Sequence, residues 1–158
     1  MKKIKHLILD VDGTLTDGKI YMSDSGELFK AFNIKDGYGL AHIARENDIE
    51  PIIITGRQSM ILEQRCQELG ITKVFQDIQD KEESLLRMMN TEMLGETAYI
   101  GDDANDLSCM NMIKKYGGVI GCPADGIREI KDIADYVCEK KGGEGAVREF
   151  IEWLVLRD

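Results

Sequence analysis

Residues 6–14 of the chain read HLILDVDGT, a short apolar run that ends in two aspartates and a glycine. A run that is apolar at successive positions, rather than at alternate ones, is typical of a strand buried on both faces of a parallel sheet. Similar runs predict further strands at residues 51–55, 97–100, 118–121 and 135–138.

The segments between these strands have helical periodicity. Apolar residues recur at helical spacing over residues 61–69 and again over residues 85–94, and Gly70 and Gly95 follow them as candidate C-caps. A last helix is predicted over residues 145–156. The β–α unit repeats about five times. This repeat predicts a doubly wound, mostly parallel α/β sheet of Rossmann-like topology.

One insertion interrupts the repeat directly after the first strand. Residues 19–32 contain two short β-prone runs on either side of the turn-rich residues 23–26, which predicts a β-hairpin. A hairpin of this size cannot bury its own apolar side chains. We therefore expect it to pack against another surface, such as that of a second subunit.

Length and composition indicate a single globular domain over residues 1–158, with 43% hydrophobic and 31% charged residues. The net charge of −9 argues against nucleic-acid binding through bulk electrostatics. The apolar run near the N-terminus is too short for a signal peptide or a membrane span. The four cysteines are too widely spaced for a zinc site or a redox dithiol. We expect a cytoplasmic protein with reduced, buried cysteines and no membrane partner.

Acidic and hydroxyl side chains follow three of the predicted strands. Asp10 and Asp12 follow the first, Thr55 ends the second, and residues 101–106, which read GDDAND, follow the third. Ligand sites in open α/β sheets lie outside these strand ends. Carboxylates crowded at one edge would repel one another and have raised pKa values unless a cation were bound. Ligands that are all oxygen favour Mg²⁺.

The spacing of the first two aspartates suggests divided roles. Asp10 and Asp12 lie two positions apart at a strand end, where Gly13 helps the chain to turn. One carboxylate can then attack phosphorus while the other acts first as an acid and then as a base, as covalent phosphoryl transfer requires. Three further aspartates are predicted to face solvent or to cap helices: Asp17, Asp24 and Asp36.

Together these motifs resemble those of the haloacid-dehalogenase-like (HAD) phosphohydrolases, which carry DxDGT, a strand-ending Thr, a Lys and GDDxxD in this order. The resemblance covers nearly the whole chain. It is closest to a capless branch, the 3-deoxy-D-manno-octulosonate 8-phosphate (KDO 8-phosphate) phosphatases, through DVDGTLTDGKIY, FNIKDGYG, ITGRQSMILEQRCQELGI, YIGDDANDLSCM and GGEGAVREF. It implies a HAD-type fold without a cap domain and Mg²⁺-dependent hydrolysis of KDO 8-phosphate, a reaction of lipopolysaccharide biosynthesis.

The resemblance implies a role for each aspartate of the two acidic motifs. Asp10 would be the nucleophile that forms an aspartyl-phosphate. Asp12 would be the general acid and base, and its backbone carbonyl would bind the metal. Asp10 and Asp102 would supply the metal carboxylates, whereas Asp103 and Asp106 would orient these ligands and their waters.

The same resemblance implies the phosphate-binding groups, which complete the catalytic set with Asp10 and Asp12. Thr55 and the backbone amide of Gly56 would hold phosphate oxygens. Lys81 would pair with both the phosphate and the nucleophile and so offset charge in the transition state.

Two arginines are candidates for binding the substrate carboxylate, because a guanidinium group binds a carboxylate in a bidentate manner. Arg57 follows the ITG motif, where a branch that acts on nine-carbon keto-acid phosphates tends to have Glu, so its presence favours the eight-carbon substrate. The alternative for Arg57 is a solvated side chain in the first helical turn. The alternative for Arg65 is an ion pair with Glu63 or Glu68 on the helix surface.

The absence of a cap has consequences for assembly. The resemblance implies a homotetramer in which the hairpins pack together and a neighbouring subunit completes each active site. Residues 142–145, which read GGEG, could form a mobile lid over the site, since glycine allows close approach to a ligand. The alternative is a plain loop before the last helix.

Three other functions are compatible with parts of this pattern. The first is a phosphatase for nine-carbon keto-acid (KDN or N-acylneuraminate) 9-phosphates. The second is a non-catalytic oligomerisation module like those fused to cytidylyltransferases, which would not need Asp10, Asp12, Lys81 and Asp102. The third is a phosphotransfer receiver domain, whose phosphorylated aspartate would end the third strand and not the first.

Overall fold

The structure is a computed structural model that describes residues 3–157 of the chain. The strands are β1 (His6–Leu9), β2 (Tyr21–Ser23), β3 (Gly26–Phe29), β4 (Glu50–Ile54), β5 (Lys73–Phe75), β6 (Thr97–Ile100), β7 (Val119–Cys122) and β8 (Tyr136–Val137). The α-helices are α1 (Ile34–Tyr38), α2 (Met60–Leu69), α3 (Lys81–Met88), α4 (Thr91–Leu94), α5 (Leu107–Lys115), α6 (Arg128–Ile133) and α7 (Ala146–Leu156). A π-helical segment, Gly39–Ala44, continues α1, and a 3₁₀ turn, Ala104–Asp106, precedes α5.

Six strands form one parallel sheet in the order β5-β4-β1-β6-β7-β8. The chain builds outward from β1 through β4 and β5, and then returns to the other side of β1 for β6, β7 and β8. This reversal beside β1 is the topological switch point at which doubly wound folds bind their ligands. The α/β fold predicted from the sequence is confirmed.

Successive residues of the central strand enter two different cores. Leu7 and Leu9 pack on one face, in the same cluster as Leu62 of α2 and Phe150 of α7. Ile8 packs on the opposite face, in a cluster that contains α3 and α5 residues. Because helices cover both faces, the three successive buried positions Leu7, Ile8 and Leu9 are all apolar, which explains the continuous run in the sequence.

The predicted hairpin is formed by β2 and β3, which pair antiparallel as a separate two-stranded sheet. It lies between β1 and α1, as the sequence indicates. Within residues 3–157 no cap domain is inserted at this point or elsewhere.

Several elements differ from the sequence expectations. The sequence does not predict the edge strand β5 or the helical segment that runs from α1 to Ala44. The single helix predicted over residues 85–94 is two helices, because the backbone of Met89 is extended and the side chain of Asn90 caps α4 by accepting the Met93 N–H. Gly70 ends α2 in the left-handed conformation, at φ 69°.

Candidate active site

The motif residues meet at one edge of the sheet. Asp10 and Asp12 follow β1, Thr55 follows β4, and Asp102 follows β6, and these three strands are neighbours. They border a cleft of about 370 Å³. The residues that line it are Asp10, Asp12, Thr55, Gly56, Arg57, Asp103, Ala104 and Asn105.

The loop after β1 turns tightly against the loop after β6. Gly13 has a φ of +93°, and a Cβ at this position would lie 2.0 Å from Oδ2 of Asp102. Only glycine fits this conformation and this approach. The Oγ1 of Thr14 donates to Oδ1 of Asp102 at 3.1 Å, and the Gly13 N–H donates to Oγ1 of Thr16 at 3.2 Å. The first bond joins the two acidic loops, and the second closes the turn within the loop after β1.

Three carboxylates converge beneath the cleft. Asp10, Asp102 and Asp106 each have a carboxylate oxygen within 4.8 Å of the others. Burial and the charge of Asp106 raise the pKa of Asp10 to about 8, and the same two causes raise that of Asp102 to about 6. A cluster made only of oxygen donors, and strained by mutual repulsion, fits a hard divalent cation.

A buried lysine from α3 enters the same cluster. The side chain of Lys81 is 2% exposed, and its Nζ donates to Oδ1 of Asp10 at 2.6 Å and to Oδ1 of Asp106 at 2.8 Å. Burial alone would lower the pKa of Lys81, but the two carboxylates raise it above its ordinary value, so the ammonium stays charged. Asp106 also accepts the Tyr99 hydroxyl at 2.7 Å and the Asp102 N–H at 3.2 Å.

A second buried lysine reaches the cleft from the hairpin. Lys30 directly follows β3, and its side chain is 5% exposed. Its Nζ donates to Oδ1 of Asp12 at 2.7 Å and lies 3.0 Å from Oε1 of Glu27. Each aspartate of the DxD motif therefore has its own lysine, Lys81 for Asp10 and Lys30 for Asp12.

Comparison with known proteins identifies the family. No protein-family model matches the chain. Over 157 residues the chain is 41% identical to the 3-deoxy-D-manno-octulosonate 8-phosphate phosphatase of Escherichia coli K12, which covers 98% of this chain and 81% of that protein. The chain belongs to the KDO 8-phosphate phosphatase family. It is also 40% identical over 157 residues to the KDO 8-phosphate phosphatase of Salmonella typhi, again over 98% of this chain and 81% of that protein.

Solved structures of KDO 8-phosphate phosphatases have the same fold. The cobalt-bound form of the Haemophilus influenzae phosphatase superposes with a TM-score of 0.89 at 35% identity, over 98% of this chain and 88% of that one. The Moraxella catarrhalis phosphatase in complex with magnesium, phosphate and KDO superposes with a TM-score of 0.85 at 37% identity, over 97% and 86% of the two chains.

In this member of the KDO 8-phosphate phosphatase family, most of the predicted site residues come together as expected. They are Asp10, Asp12, Thr55, Gly56, Arg57, Lys81, Asp102, Asp103 and Asp106. Asp12 stands outside the cluster formed by the side chains of Asp10, Asp102 and Asp106. The individual roles stay predictions.

Arg65 lies elsewhere. Its Nη1 pairs with Glu68 at 3.1 Å, and its Nη2 would lie 2.2 Å from a Cβ placed on Gly37 of α1. Arg65 thus forms the ion pair with Glu68 that the sequence offered as the alternative to substrate binding. The structure does not bring Arg65 to the cleft of its own subunit.

The glycine-rich turn predicted as a lid packs against the loop after β1. The Gly143 N–H donates to the Thr14 carbonyl at 3.1 Å, and the Gly142 N–H donates to Oδ1 of Asp125 at 2.9 Å. A Cβ on Gly142 would lie 1.9 Å from the Gly13 carbonyl oxygen. The turn therefore supports the loop that carries the DxD motif, and its residues are not among those that line the cleft.

Two residues of the site are absent from the sequence prediction. Tyr99 carried a usable signal, since a tyrosine in the middle of a fully buried strand needs a partner for its hydroxyl. Lys30 carried only a weak signal, because its pairing with Asp12 depends on how the hairpin folds back over β1.

Proposed function

We propose that this chain is a Mg²⁺-dependent phosphomonoesterase that hydrolyses KDO 8-phosphate to KDO and inorganic phosphate. The observation that carries the proposal is the buried ammonium of Lys81 between Asp10 and Asp106, next to Asp102 and open to the cleft through Asp10. This arrangement suits a dianionic phosphate that must approach a carboxylate nucleophile. Family membership and the complex of the Moraxella catarrhalis relative with magnesium, phosphate and KDO support the same substrate.

In the first half-reaction Asp10 attacks the phosphorus atom. A bond forms between a carboxylate oxygen of Asp10 and phosphorus, and the bond between phosphorus and the sugar oxygen breaks. The leaving alkoxide takes the proton of the Asp12 carboxyl group, which lines the same cleft. Lys81 stabilises the negative charge on the transferred group.

In the second half-reaction water attacks the phosphorus atom of the aspartyl-phosphate. Asp12, now a carboxylate, accepts a proton from this water, and the bond between Asp10 and phosphorus breaks. Inorganic phosphate leaves, Asp10 is again a carboxylate, and Asp12 is again protonated for the next turnover.

The carboxylates of Asp10 and Asp102 and the backbone carbonyl of Asp12 would hold Mg²⁺. The bound ion supplies positive charge that lets several carboxylates and a phosphate share one site. Asp106 is already occupied by Lys81, Tyr99 and backbone N–H groups, so its role is to orient Lys81 and the Asp102 loop.

The substrate is held by consecutive residues of the loop that follows β4. Thr55 and the amide of Gly56 bind the phosphate oxygens, and Arg57 at the rim binds the sugar-acid carboxylate. The proposed assembly is a homotetramer, which a set of exposed apolar side chains on the hairpin and α1 supports. Its proposed location is the cytoplasm.

Membrane insertion has no candidate segment in the part of the chain that the structure describes. None of the helices within residues 3–157 has the length and apolar character needed to cross a bilayer.

The deciding experiment measures phosphate release from KDO 8-phosphate, a nine-carbon keto-acid phosphate and common sugar phosphates, with Mg²⁺ and then with excess chelator. We expect KDO 8-phosphate to be preferred and the activity to disappear with chelator. Asp10→Asn should lower turnover to less than about 0.1%, because no aspartyl-phosphate can form. Asp132→Asn, on the exposed surface of α6, is the matched control and should retain full activity. A preference for the nine-carbon substrate would contradict the assignment of Arg57, and normal turnover by Asp10→Asn would contradict the covalent mechanism.

A further inference from the structure

Asp12 is held by a chain of contacts that begins outside the motifs of the site. Its Oδ1 accepts a hydrogen bond from Nζ of Lys30 at 2.7 Å, and Lys30 also pairs with Glu27 at 3.0 Å. The second carboxylate oxygen of Glu27 accepts the hydroxyl of Ser59 at 2.5 Å. Ser59 caps α2, the helix that begins directly after the Thr55–Arg57 segment. The hairpin is thus connected to two separate loops of the cleft.

The burial of this lysine requires an explanation. The side chain of Lys30 is only 5% exposed, so its ammonium group loses hydration, and such a position is stable only when carboxylates compensate the charge. Both compensating groups are present, and they differ in kind: Glu27 belongs to the hairpin itself, whereas Asp12 belongs to the cleft. Burial favours a raised pKa for Glu27, but its bonds from Ser59 and Lys30 outweigh burial and lower it, so Glu27 remains a carboxylate.

The contact also engages one of the two carboxylate oxygens of Asp12. The backbone after β1 turns through Gly13, so the strand does not dictate the orientation of the Asp12 side chain. Lys30 occupies Oδ1 and leaves Oδ2 for proton transfer in the cleft that Asp12 lines. Proton transfer needs such an orientation, because the donor and the acceptor must lie within hydrogen-bond distance.

We propose that Lys30 is a positioning residue that orients Asp12 for proton transfer, and that the hairpin thereby sets the geometry of the acid and base. In this capless chain the hairpin supplies an ordering contact to the chemistry from within the same subunit. The inference rests on the proposed phosphatase function.

The leaving group of the substrate separates this role from a merely structural one. A sugar alkoxide needs the proton of Asp12 to leave, whereas p-nitrophenolate leaves with little help. Lys30→Met should therefore lower kcat/KM for KDO 8-phosphate about 100-fold and kcat/KM for p-nitrophenyl phosphate less than about fivefold. Water attack on the aspartyl-phosphate also needs Asp12, so p-nitrophenolate should appear in a burst of one equivalent per active site followed by slow turnover. Lys30→Arg should have a kcat/KM for KDO 8-phosphate at least about tenfold higher than that of Lys30→Met, because arginine keeps the positive charge.

Controls distinguish the possible failures. Lys19→Met, at an exposed lysine beside the same hairpin, should leave both substrates unaffected. Lys30→Met in an Asp12→Asn background should cause no further loss on KDO 8-phosphate. If Lys30→Met does not fold, Glu27→Gln, which loosens Lys30 without changing Asp12, should show the same dependence on leaving group in weaker form.

Two results would overturn the inference. One is an equal loss on both substrates without a burst, and the other is a full additional loss in the Asp12→Asn background. Failure of the proposed phosphatase function would look different from either result, because the wild-type protein itself would then not hydrolyse KDO 8-phosphate.

Discussion

Asp36 is a buried carboxylate that lies on α1 and faces the start of α7. The sequence predicts that Asp36 faces solvent or caps a helix. In the structure its side chain is buried, and from α1 it caps a different helix, α7. Its Oδ1 accepts the Arg148 N–H at 2.8 Å, and its Oδ2 is buried with no hydrogen-bond partner in the described residues. Burial raises its pKa from 3.8 to about 6, and the hydrogen bond from the Arg148 N–H, together with the nearby positive charges of Lys140 and Arg148, offsets this only in part.

This raised pKa predicts a pH-dependent stability. Between pH 4 and pH 6 the folded state keeps the Asp36 proton while the unfolded state releases it, so the contribution of Asp36 to the free energy of unfolding falls as pH rises. The fall amounts to roughly 3 kcal/mol and is complete above about pH 6. Asp36→Asn keeps an acceptor for Arg148 but cannot titrate, so its stability relative to wild type should increase by about this amount from pH 4 to pH 7.

Urea denaturation of both proteins across this pH range measures the effect. Asp24→Asn, at an exposed position of the hairpin turn, is the control and should follow the wild-type curve. A stability difference between Asp36→Asn and wild type that stays constant with pH would show that Asp36 titrates normally.

At the scale of elements, the glycine turn before α7 and the loop after β1 act as one unit. A Cβ on Gly142 would meet backbone atoms, the Gly13 carbonyl oxygen at 1.9 Å and the Thr16 carbonyl oxygen at 2.9 Å. Backbone cannot rotate away as a side chain can, so the loop that carries Asp10 and Asp12 must move. Gly142→Ala should destabilise the protein by about 3 kcal/mol. It should also lower kcat about 100-fold, the usual effect of a displacement near 1 Å at a reacting group.

Thermal unfolding and steady-state kinetics on KDO 8-phosphate test this prediction. The matched control is Gly117→Ala, which has a φ of +92° but no atom within 4 Å of the added Cβ. It should cost only about 1 kcal/mol of backbone strain and leave kcat unchanged. If Gly142→Ala were no more harmful than Gly117→Ala, the turn would not support the catalytic loop.

What the sequence predicts at this scale depends on how local the determining interactions are. β1, β4 and β6 are predictable because each is covered on both faces and so contains successive apolar residues, Leu7–Leu9, Ile52–Ile54 and Ala98–Ile100. β5 has three residues and begins with the exposed Lys73, so it gives no comparable run. The break in the helix at residues 89–90 depends on capping by Asn90, which competes with an apolar periodicity that continues across it.

The site shows the same limit. The carboxylates and Lys81 belong to short motifs at strand ends, and the order of strands places them together. Lys30 reaches Asp12 only because a hairpin folds back across 18 residues of chain, and the guanidinium of Arg65 lies beside Gly37, which belongs to another helix. Contacts made by the packing of one element on another leave no local pattern in the sequence.

Exposed apolar side chains are unevenly distributed over the surface of the molecule. Among the described residues, eleven large apolar side chains are exposed, and six of them lie between residues 20 and 38. They are Ile20, Met22, Leu28, Phe29, Ile34 and Tyr38. Apolar side chains concentrated in this way are typical of an interface rather than of a solvated surface. The segment that carries them also carries Lys30, so the proposed assembly and the proposed orientation of Asp12 involve the same element.

Charge on the hairpin should therefore dissociate the proposed tetramer. Met22→Glu combined with Leu28→Glu places carboxylates where apolar contact is expected, and sedimentation should show smaller species than the wild-type tetramer. Because a neighbouring subunit is proposed to complete the site, kcat/KM for KDO 8-phosphate should fall at least about tenfold. The loss on p-nitrophenyl phosphate should be smaller than about threefold, since the groups that act on phosphorus all come from one chain.

Leu86→Glu is the control for added charge at an exposed apolar position away from the hairpin, on α3, and should change neither assembly nor kinetics. A wild-type protein that sediments as a monomer would contradict the proposed assembly directly. A dissociated variant with full activity on KDO 8-phosphate would keep the interface but show that each subunit binds the sugar acid alone. In that case Arg57, the arginine that lines the cleft of its own subunit, would be sufficient to bind the carboxylate.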